Sequence, residues 1–518
     1  MSNFAPRKRR YDNSNHRHNQ NYTQNIHYIN KSVNSTHVED VRSHYNVIKE
    51  SRREQRQHSE AFALRCFNNW VKQVQIDDSV ELVKCQNLMS SSSSSKSSTN
   101  NYSSSSSSSN PSLQKGIKVL DLCCGKGGDI NKWKKSEMVK HIDFVDLSEN
   151  TIQEASKRYN SQSGLKEAYT AEFFVADCTQ KLNHAKILDN EYDICSCQFA
   201  IHYAFESCTQ AETMISNIAN KLKPGGIFIG TTVNDFELIY RAKNQKQRLV
   251  ENNLMDPAEN TDKNGESISF GNAFYKIKLD ENSFDLEHPP LFGCKYHFNL
   301  DDLIDVPEFM VNRALLVQIC KEHNLELIYF QPFRQFFDKH KDNPYYRKLL
   351  KVFRALNAFH PKKPEMDESN DPNCEYKRAR MSVEKLIDRN SDCKQVGTIK
   401  MSMWEIATLY TTFCFRKKGL GDDDSSDNND DDEEEAGSND SSDENEPTQQ
   451  NQQQVSNNYT QPNQNPPQNS NYQSIFSSNA NNGPQIMSES EYYSPQNNKR
   501  RRTEDQEGND GNNSSSEE

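Results

Sequence analysis

The order of apolar and polar positions divides this chain of 518 residues into distinct regimes. Residues 1 to about 40 are rich in Asn, His, Ser and Arg and poor in aliphatics, so too little surface is available to offset the entropy of ordering, and a disordered tail is expected. From Val41 to Ile76 the pattern turns helical, with Ala61, Ala63, Leu64, Phe67, Val71 and Val74 on one broad face. Between Ser90 and Ser112 almost every residue is Ser or Asn, which predicts a flexible loop inserted ahead of the first strand.

Short apolar runs then alternate with amphipathic ones. A strand from Val119 enters the turn Cys-Cys-Gly-Lys-Gly-Gly-Asp, a helical segment follows, and a second apolar strand closes on Asp146. The pattern continues with a helix from about Glu149 to Tyr159, a strand Phe173 to Ala176 closing on Asp177, and a strand Tyr192 to Gln198. A helix from about Gln210 to Leu222, a Lys-Pro-Gly-Gly turn at 223–226 and a strand Ile227 to Thr232 complete it. Such alternation implies an α/β fold with a parallel sheet and a site at the carboxyl ends of its strands. Asp146, Asp177 and Gln198 all fall at such ends, and helix capping alone does not explain three polar residues closing successive core strands.

From Asn234 to Pro290 the composition is polar and mixed, reading as an insertion that folds over the site. Leu291 to Leu300 is expected as a strand, and Val306-Pro307-Glu308-Phe309 is expected to enter a helix running through about His323. Leu325 to Gln331 and Thr408 to Arg416 read as further strands, with the polar run from about Pro361 to Gln395 between them as another loop insertion. Past Gly421 an acidic block gives way to an Asn/Gln-rich tract, neither able to fold alone.

Composition narrows this picture. An apolar share of 33% and a mean hydropathy of -0.99 are too polar for several packed domains, so one domain with long tails is the simpler account. Fourteen acids between Asp422 and Glu446 have no Lys or Arg among them, and without them the net charge of -12 becomes +2. A near-neutral body is compatible with a nucleic-acid substrate without requiring one. The thirteen cysteines are scattered, form no C-x-x-C pair, and at Cys195 and Cys197 alternate as in a strand, which points to a reducing compartment and to no metal. No apolar run approaches the roughly 20 residues of a membrane span, so no membrane association is expected. The basic cluster Arg7-Lys8-Arg9-Arg10 is a candidate nuclear import signal or RNA anchor, and Lys499-Arg500-Arg501-Arg502 is a second import candidate.

Candidate chemistry centres on the glycine turn. Gly125, Gly127 and Gly128 allow backbone amides to approach a ligand at angles a side chain would forbid. Asp146 follows about 20 residues later, where a carboxylate can accept both hydroxyls of an adenosine ribose. The spacing departs from the strict dinucleotide pattern, and Asp121 ahead of the turn suits an ammonium rather than a pyrophosphate, so S-adenosylmethionine fits better than NAD. In Phe67-Asn68-Asn69-Trp70-Val71-Lys72, two amides beside an aromatic and a lysine could read a base or a phosphate; spacing alone favours capping or a turn.

Six stretches together resemble one family. Phe-Asn-Asn-Trp-Val-Lys, Leu-Cys-Cys-Gly-Lys-Gly-Gly-Asp, Ser-Cys-Gln-Phe-Ala-Ile-His-Tyr-Ala-Phe-Glu-Ser, Pro-Gly-Gly-Ile-Phe-Ile-Gly-Thr-Thr, Leu-Phe-Gly-Cys-Lys-Tyr and Val-Pro-Glu-Phe occur in the order found in eukaryotic mRNA cap guanine-N7 methyltransferases. The resemblance covers about Val41 to Lys417 apart from the insertions. It implies a Rossmann-like, seven-stranded class I S-adenosylmethionine-dependent methyltransferase sheet with insertions and disordered tails. The organisation expected is a basic tail at 1–40, a methyltransferase domain at 41–417 carrying the loop 90–112 and the insertion 361–395, and an acidic, Asn/Gln-rich tail at 418–518.

By the same likeness Lys72, Cys123, Gly125, Asp146, Asp177, Gln198 and Tyr203 would bind the methyl donor. Asn68, Asn69, Lys126, Lys132, Arg158, His202, Glu308 and Tyr410 would line a site for the capped 5′ end of RNA. The cations suit a triphosphate bridge, Glu308 can accept from the N1 and N2 hydrogens of guanine, and the rings of Tyr203 and Tyr410 can wall a base. Cys123 stands where the family usually has a glycine, which bears on donor affinity.

The activity implied is methyl transfer from S-adenosylmethionine to N7 of the terminal guanosine of GpppN. Guanine N7 carries a free lone pair and the sulfonium is a good leaving group, so in-line displacement needs no general base, and proximity and orientation supply the rate. His202 reads as a structural or cap-contacting residue rather than a proton carrier. A place in nuclear mRNA processing follows, with the tails as candidate contacts for transcription or capping machinery. Two other classes stand beside this reading: a methyltransferase acting on a small molecule or protein has no use for Asn68, Asn69 and Glu308, and calorimetry with the donor separates a non-catalytic RNA-binding module from an enzyme.

Overall fold

The computed structural model describes residues 26–30, 36–47, 59, 61–93, 116–259, 261–300, 304–360, 362–367, 375–388 and 396–419. The expectations for residues 1–25, for 94–115 and for the chain beyond 419, both basic clusters included, lie outside these residues.

Among the described residues, one large sheet joins β1 (Ile26–Tyr28), β2 (Ile117–Leu122), β3 (Val139–Asp146), β4 (Thr170–Val175), β5 (Tyr192–Gln198) and β6 (Leu222–Val233). A second sheet comes next in sequence, formed by β7 (Ser269–Gly271), β8 (Tyr275–Leu279), β9 (Lys295–Leu300) and β10 (Ile304–Phe309). β11 (Leu325–Pro332) and β14 (Tyr410–Lys417) return to the large sheet, while β12 (Asn357–Ala358) and β13 (Gly397–Thr398) pair only with each other. The large sheet runs β1-β4-β3-β2-β5-β6-β14-β11, parallel as far as β6 and antiparallel at β14. β2 buries every side chain but that of Lys118, as a strand covered on both faces must. The chain reverses direction across β2, from the β3 side to the β5 side, and the strand ends at such a reversal leave a crevice for a ligand.

β1 is an eighth strand at the edge of the sheet, beyond the seven expected, and it lies ahead of residue 41. β1 pairs in parallel with β4, and Asn30 beyond it accepts from the Asp177 amide at 2.8 Å and donates to the Asp177 carbonyl at 3.2 Å. The helix Thr36–Val47 also starts before 41. Three paired residues and one short helix fall below what composition averaged over forty residues registers.

Among the described residues, the helical run expected from Val41 to Ile76 falls on the helices Thr36–Val47 and Phe62–Ser93, and the latter takes in the first four residues assigned to the Ser-rich loop. Phe67, Trp70, Val71 and Val74 of the long helix are fully buried, and the Trp70 indole donates to the Tyr346 carbonyl at 2.9 Å. This burial sets the azimuth of the helix and so aims Lys72 at the glycine turn.

Other segments differ from the sequence pattern. The Lys-Pro-Gly-Gly stretch is the entry to β6, with Gly225 at φ +80° and a register slip opposite Tyr192 absorbing the irregularity. The segment after Asn234 holds the helix Asp235–Glu251, capped by the Asn234 side chain, and then β7 and β8. In β8 the alternation of Tyr275, Ile277 and Leu279 is the strand signal that the surrounding polarity hides. Val306-Pro307-Glu308-Phe309 forms β10 rather than a helical entry, because Pro307 tolerates an edge strand and the helix begins only at Arg313 behind the Asn312 cap. The polar run 361–395 contains the helix Lys377–Asp388, whose Ala379 and Val383 pack on Phe359 and Met366.

Candidate active site

β2 leads into the glycine turn, whose backbone is bent by three residues in the left-handed region, Cys123 at φ +54°, Gly125 at φ +53° and Gly127 at φ +70°. A side chain at Gly125 would meet nothing within 4 Å, so the backbone there faces open space. Cys123 adopts an angle that a glycine takes without cost, which is the strain its substitution into the turn carries. The Cys178 and Cys197 thiols at neighbouring strand ends draw the Cys123 thiol well below the ordinary range, against the opposing effect of burial. Phe199, just past β5, is also left-handed at φ +58°, held by its amide donating to the Thr231 hydroxyl at 2.9 Å.

These bends open a cavity of about 450 Å³ at the carboxyl ends of β2 to β5, within the size range of ligand sites. All seven residues expected to meet the donor line it: Lys72, Cys123, Gly125, Asp146, Asp177, Gln198 and Tyr203. Asp146 is fixed by the Gly125 amide at 2.8 Å on one oxygen, and by the Ser148 amide at 2.9 Å and the Thr151 hydroxyl at 2.7 Å on the other. Burial and the nearby Cys123 push its carboxyl up to about 6 despite these donors. Asp177 accepts at one oxygen from the amide and hydroxyl of Thr179, 2.9 and 2.7 Å away. Gln198 spends its amide inward, donating to Gln75 at 2.9 Å and accepting from the Thr231 hydroxyl at 3.2 Å, so it shapes the wall more than it offers a free hydrogen bond.

A buried charge cluster forms the end of the cavity beside the long helix. Lys72 pairs with Asp129 at 2.8 Å, and Asp121 lines the same wall at 2% exposure. Burial, reinforced by the Asp129 carboxylate, pushes Asp121 well above the ordinary range, against the pull of Lys72 and the Trp133 indole. Burial would push Asp129 the same way, but the Lys132 and Lys72 ammoniums outweigh it and hold that carboxyl low.

The residues expected at the cap divide. Lys126 and Arg158 line the cavity, near Glu154 and the Gly127 carbonyl respectively. Asn68, Asn69, Lys132, His202, Glu308 and Tyr410 do not line it. Lys132 is a correction to the expected phosphate contact: its three protons go to Asn69 at 2.8 Å, the Gly128 carbonyl at 2.9 Å and Asp129 at 2.8 Å. At 5% exposure it braces the turn, and burial pushes its ammonium down to about 8. Asn69 is its partner, and the buried Asn68 side-chain oxygen has no hydrogen-bond partner.

Glu308 and Tyr410 stand one ring behind the cavity wall. Tyr410 meets the ring of Phe199 edge-on at 5.0 Å. Glu308 is 3% exposed, accepts from the Tyr296 hydroxyl at 2.8 Å and lies 3.5 Å from His202, whose ring touches Tyr203 at 4.3 Å. Burial pushes Glu308 up to about 7 and His202 down to about 3. The helix Thr36–Val47 adds His37, Val38, Val41 and Arg42 to the cavity wall, none of them anticipated because the stretch was assigned largely to the tail.

A pH profile separates the two acids. A carboxylate that accepts ligand hydroxyls or N–H groups must be ionised, so affinity at each site falls as pH drops through that group's pKa in the free protein. Donor affinity is expected to hold above pH 7 and to weaken below about 6 as Asp146 protonates. KM for a guanine-bearing substrate is expected to rise about one pH unit earlier, near 7, as Glu308 protonates. Calorimetry and steady-state rates across pH 5 to about 9 check the order; coincident limbs would assign both to one group.

The chain matches the family model described as mRNA (guanine-N(7))-methyltransferase domain over residues 28–90 and 100–418. It is 32% identical over 392 residues to the mRNA cap guanine-N(7) methyltransferase of Drosophila melanogaster, covering 74% of this chain and 77% of that protein. The Caenorhabditis briggsae protein of the same name is 31% identical over 384 residues, covering 73% and 86%. The mRNA cap guanine-N(7) methyltransferase 1 of Oryza sativa subsp. japonica is 28% identical over 386 residues, covering 73% and 81%.

Proposed function

This chain belongs to the mRNA (guanine-N(7))-methyltransferase family, and from that premise we propose how its residues divide the work. It transfers a methyl group from S-adenosylmethionine to N7 of the guanosine capping the 5′ end of RNA, a step of mRNA processing. The cavity suits this donor: an anchored carboxylate at Asp146 matches a ribose diol, the open space at Gly125 admits close approach, and Asp121 and Lys72 line the wall where the ammonium and carboxylate of an amino acid would lie. When bound, the donor supplies a methyl group on a positive sulfonium.

In this reading Asp146 accepts the ribose hydroxyls, Asp177 borders the adenine, Asp121 receives the ammonium and Lys72 the carboxylate. Cys123 brings its backbone, not its sulfur, toward the donor. Lys126 and Arg158 meet the triphosphate, Asn68 and Asn69 support that side with Lys132 as their brace, and Glu308 reads the N1 and N2 edge of guanine. Because Glu308 is 3% exposed, the base reaches it only when Tyr203 and His202 shift aside, a side-chain movement common on binding. Tyr203 and Tyr410 then wall the base. No residue here removes a proton: N7 has none, and His202, kept neutral by burial, holds the guanine rather than acting on it. The chain's contribution is alignment of N7 with the methyl–sulfur axis.

The observation that carries this reading is that one cavity presents the fixed Asp146 carboxylate and, at its rim, the cations Lys126 and Arg158. Incubation with labelled donor and GpppG-capped RNA, followed by digestion to cap nucleotides, tests it. Label at N7 is expected; label on a ribose hydroxyl or an internal base would overturn it. The site of action in this reading is the nucleus, reached through the basic clusters at 7–10 and 499–502, with the tails meeting transcription or capping machinery. A fluorescent fusion that stays nuclear with both clusters neutralised would remove that part.

A further inference from the structure

His37 lies in a stretch whose composition promised nothing, yet its side chain is 6% exposed and lines the cavity. Its helix, Thr36–Val47, packs on β10, the strand that carries Glu308. The imidazole meets the ring of Phe309, next to Glu308, edge-on at 4.6 Å, and stands 6.1 Å from Tyr203. Tyr203 is therefore flanked by two histidines, His37 and His202. Among the described residues, both ring nitrogens of His37 are buried without a hydrogen-bond partner, and His202 Nε2 has only the Glu308 carboxylate, 3.5 Å away.

Buried polar groups in folded proteins are almost always paired, and an exception requires an explanation. A neutral imidazole carries one donor and one acceptor, so His37 brings one of each to the cavity wall. A purine edge with its ribose presents donors and acceptors in just such mixture. On the function proposed above, we propose that His37, from the cavity wall, contacts the guanosine of the cap and helps to set its recognition, with His202 and Glu308 standing behind Tyr203.

Charge explains why histidine serves here and lysine or arginine would not. Methylation at N7 leaves the purine ring cationic, and a fixed positive charge beside it would oppose the reaction. Burial holds His37 below its ordinary range, with Lys295 adding to that effect and Glu206 and Asp40 opposing it. Burial does the same to His202. A neutral His37 can therefore hydrogen-bond the base and leave Glu308 as the charge that complements the product.

The test uses the full chain with His37→Phe, which keeps a ring against Phe309 and Tyr203 and removes both nitrogens. Losing one neutral hydrogen bond should raise KM for GpppG-capped RNA about 3- to 10-fold, with the calorimetric Kd for S-adenosylmethionine within about twofold. His37→Asn retains a group near Nδ1 and His37→Gln one near Nε2, and recovery of KM by either supports the contact and identifies the nitrogen. A His37→Phe enzyme with wild-type KM overturns the proposal, as does an equal loss of donor and cap affinity at unchanged Tm, which would make His37 a plain wall residue. Failure of the wild-type chain to label N7 would instead strike the function itself, so the two failures are distinguishable.

Discussion

Replacing Asp146 with Asn should weaken S-adenosylmethionine binding about 100-fold. The substitution keeps size but puts an amide where the structure needs only acceptors: three donors, the Gly125 amide, the Ser148 amide and the Thr151 hydroxyl, already point at this carboxylate. One nitrogen must then face a donor, the turn loses its latch, and the ribose loses a charged acceptor. Hydrogen bonds to a charged group contribute about 1.5–3 kcal/mol each, and two such losses reach the roughly 2.8 kcal/mol of a hundredfold change. Isothermal calorimetry reads the Kd, with far-UV circular dichroism to verify the fold. An affinity within threefold of wild type would mean that the donor does not lie against β3.

The second large effect is expected at the opposite end of the site. Glu308→Ala should lower kcat/KM for GpppG-capped RNA about 100-fold while leaving donor affinity within twofold, since a bidentate contact to a base edge carries about 1–3 kcal/mol. The variant should also lose the rise in KM near pH 7 that burial of this carboxyl creates. Both readouts are needed, because the Tyr296 hydroxyl donates to Glu308 at 2.8 Å and its loss leaves that hydroxyl unpaired in the core. A variant that loses activity but keeps the pH limb would show that Glu308 supports the sheet and does not meet the base.

Much of the sheet was legible because its residues speak locally. β2, β3, β5 and β14 are apolar runs bounded by glycine, acid or amide, and each falls within a few residues of its expected place. β8 and β10 were not, for opposite reasons: the alternation of β8 is diluted by charged neighbours, and Pro307 resembles a helix entry until one sees that β10 has an open edge. The helix Lys377–Asp388 was lost in a polar run because its apolar face is answered by Phe359 and Met366, which precede it in a different element.

The site divides in the same way. Five of the seven residues expected at the donor sit at the ends of strands or in the turn, where position along the chain is position in space; Lys72 on the long helix and Tyr203 after β5 join them, and all seven line the cavity. The family likeness put Lys132 at the phosphates, but the carboxylate it must neutralise, Asp129, lies three residues away and draws it inward. Sequence alone thus determined the strand ends, the glycine turn and the chemistry of the donor, since these depend on residue type and short spacing. Only the tertiary structure decided which long side chains reach the cavity and which brace it, and it alone brought His37 there, because burial and the competition for hydrogen bonds depend on residues hundreds of positions apart.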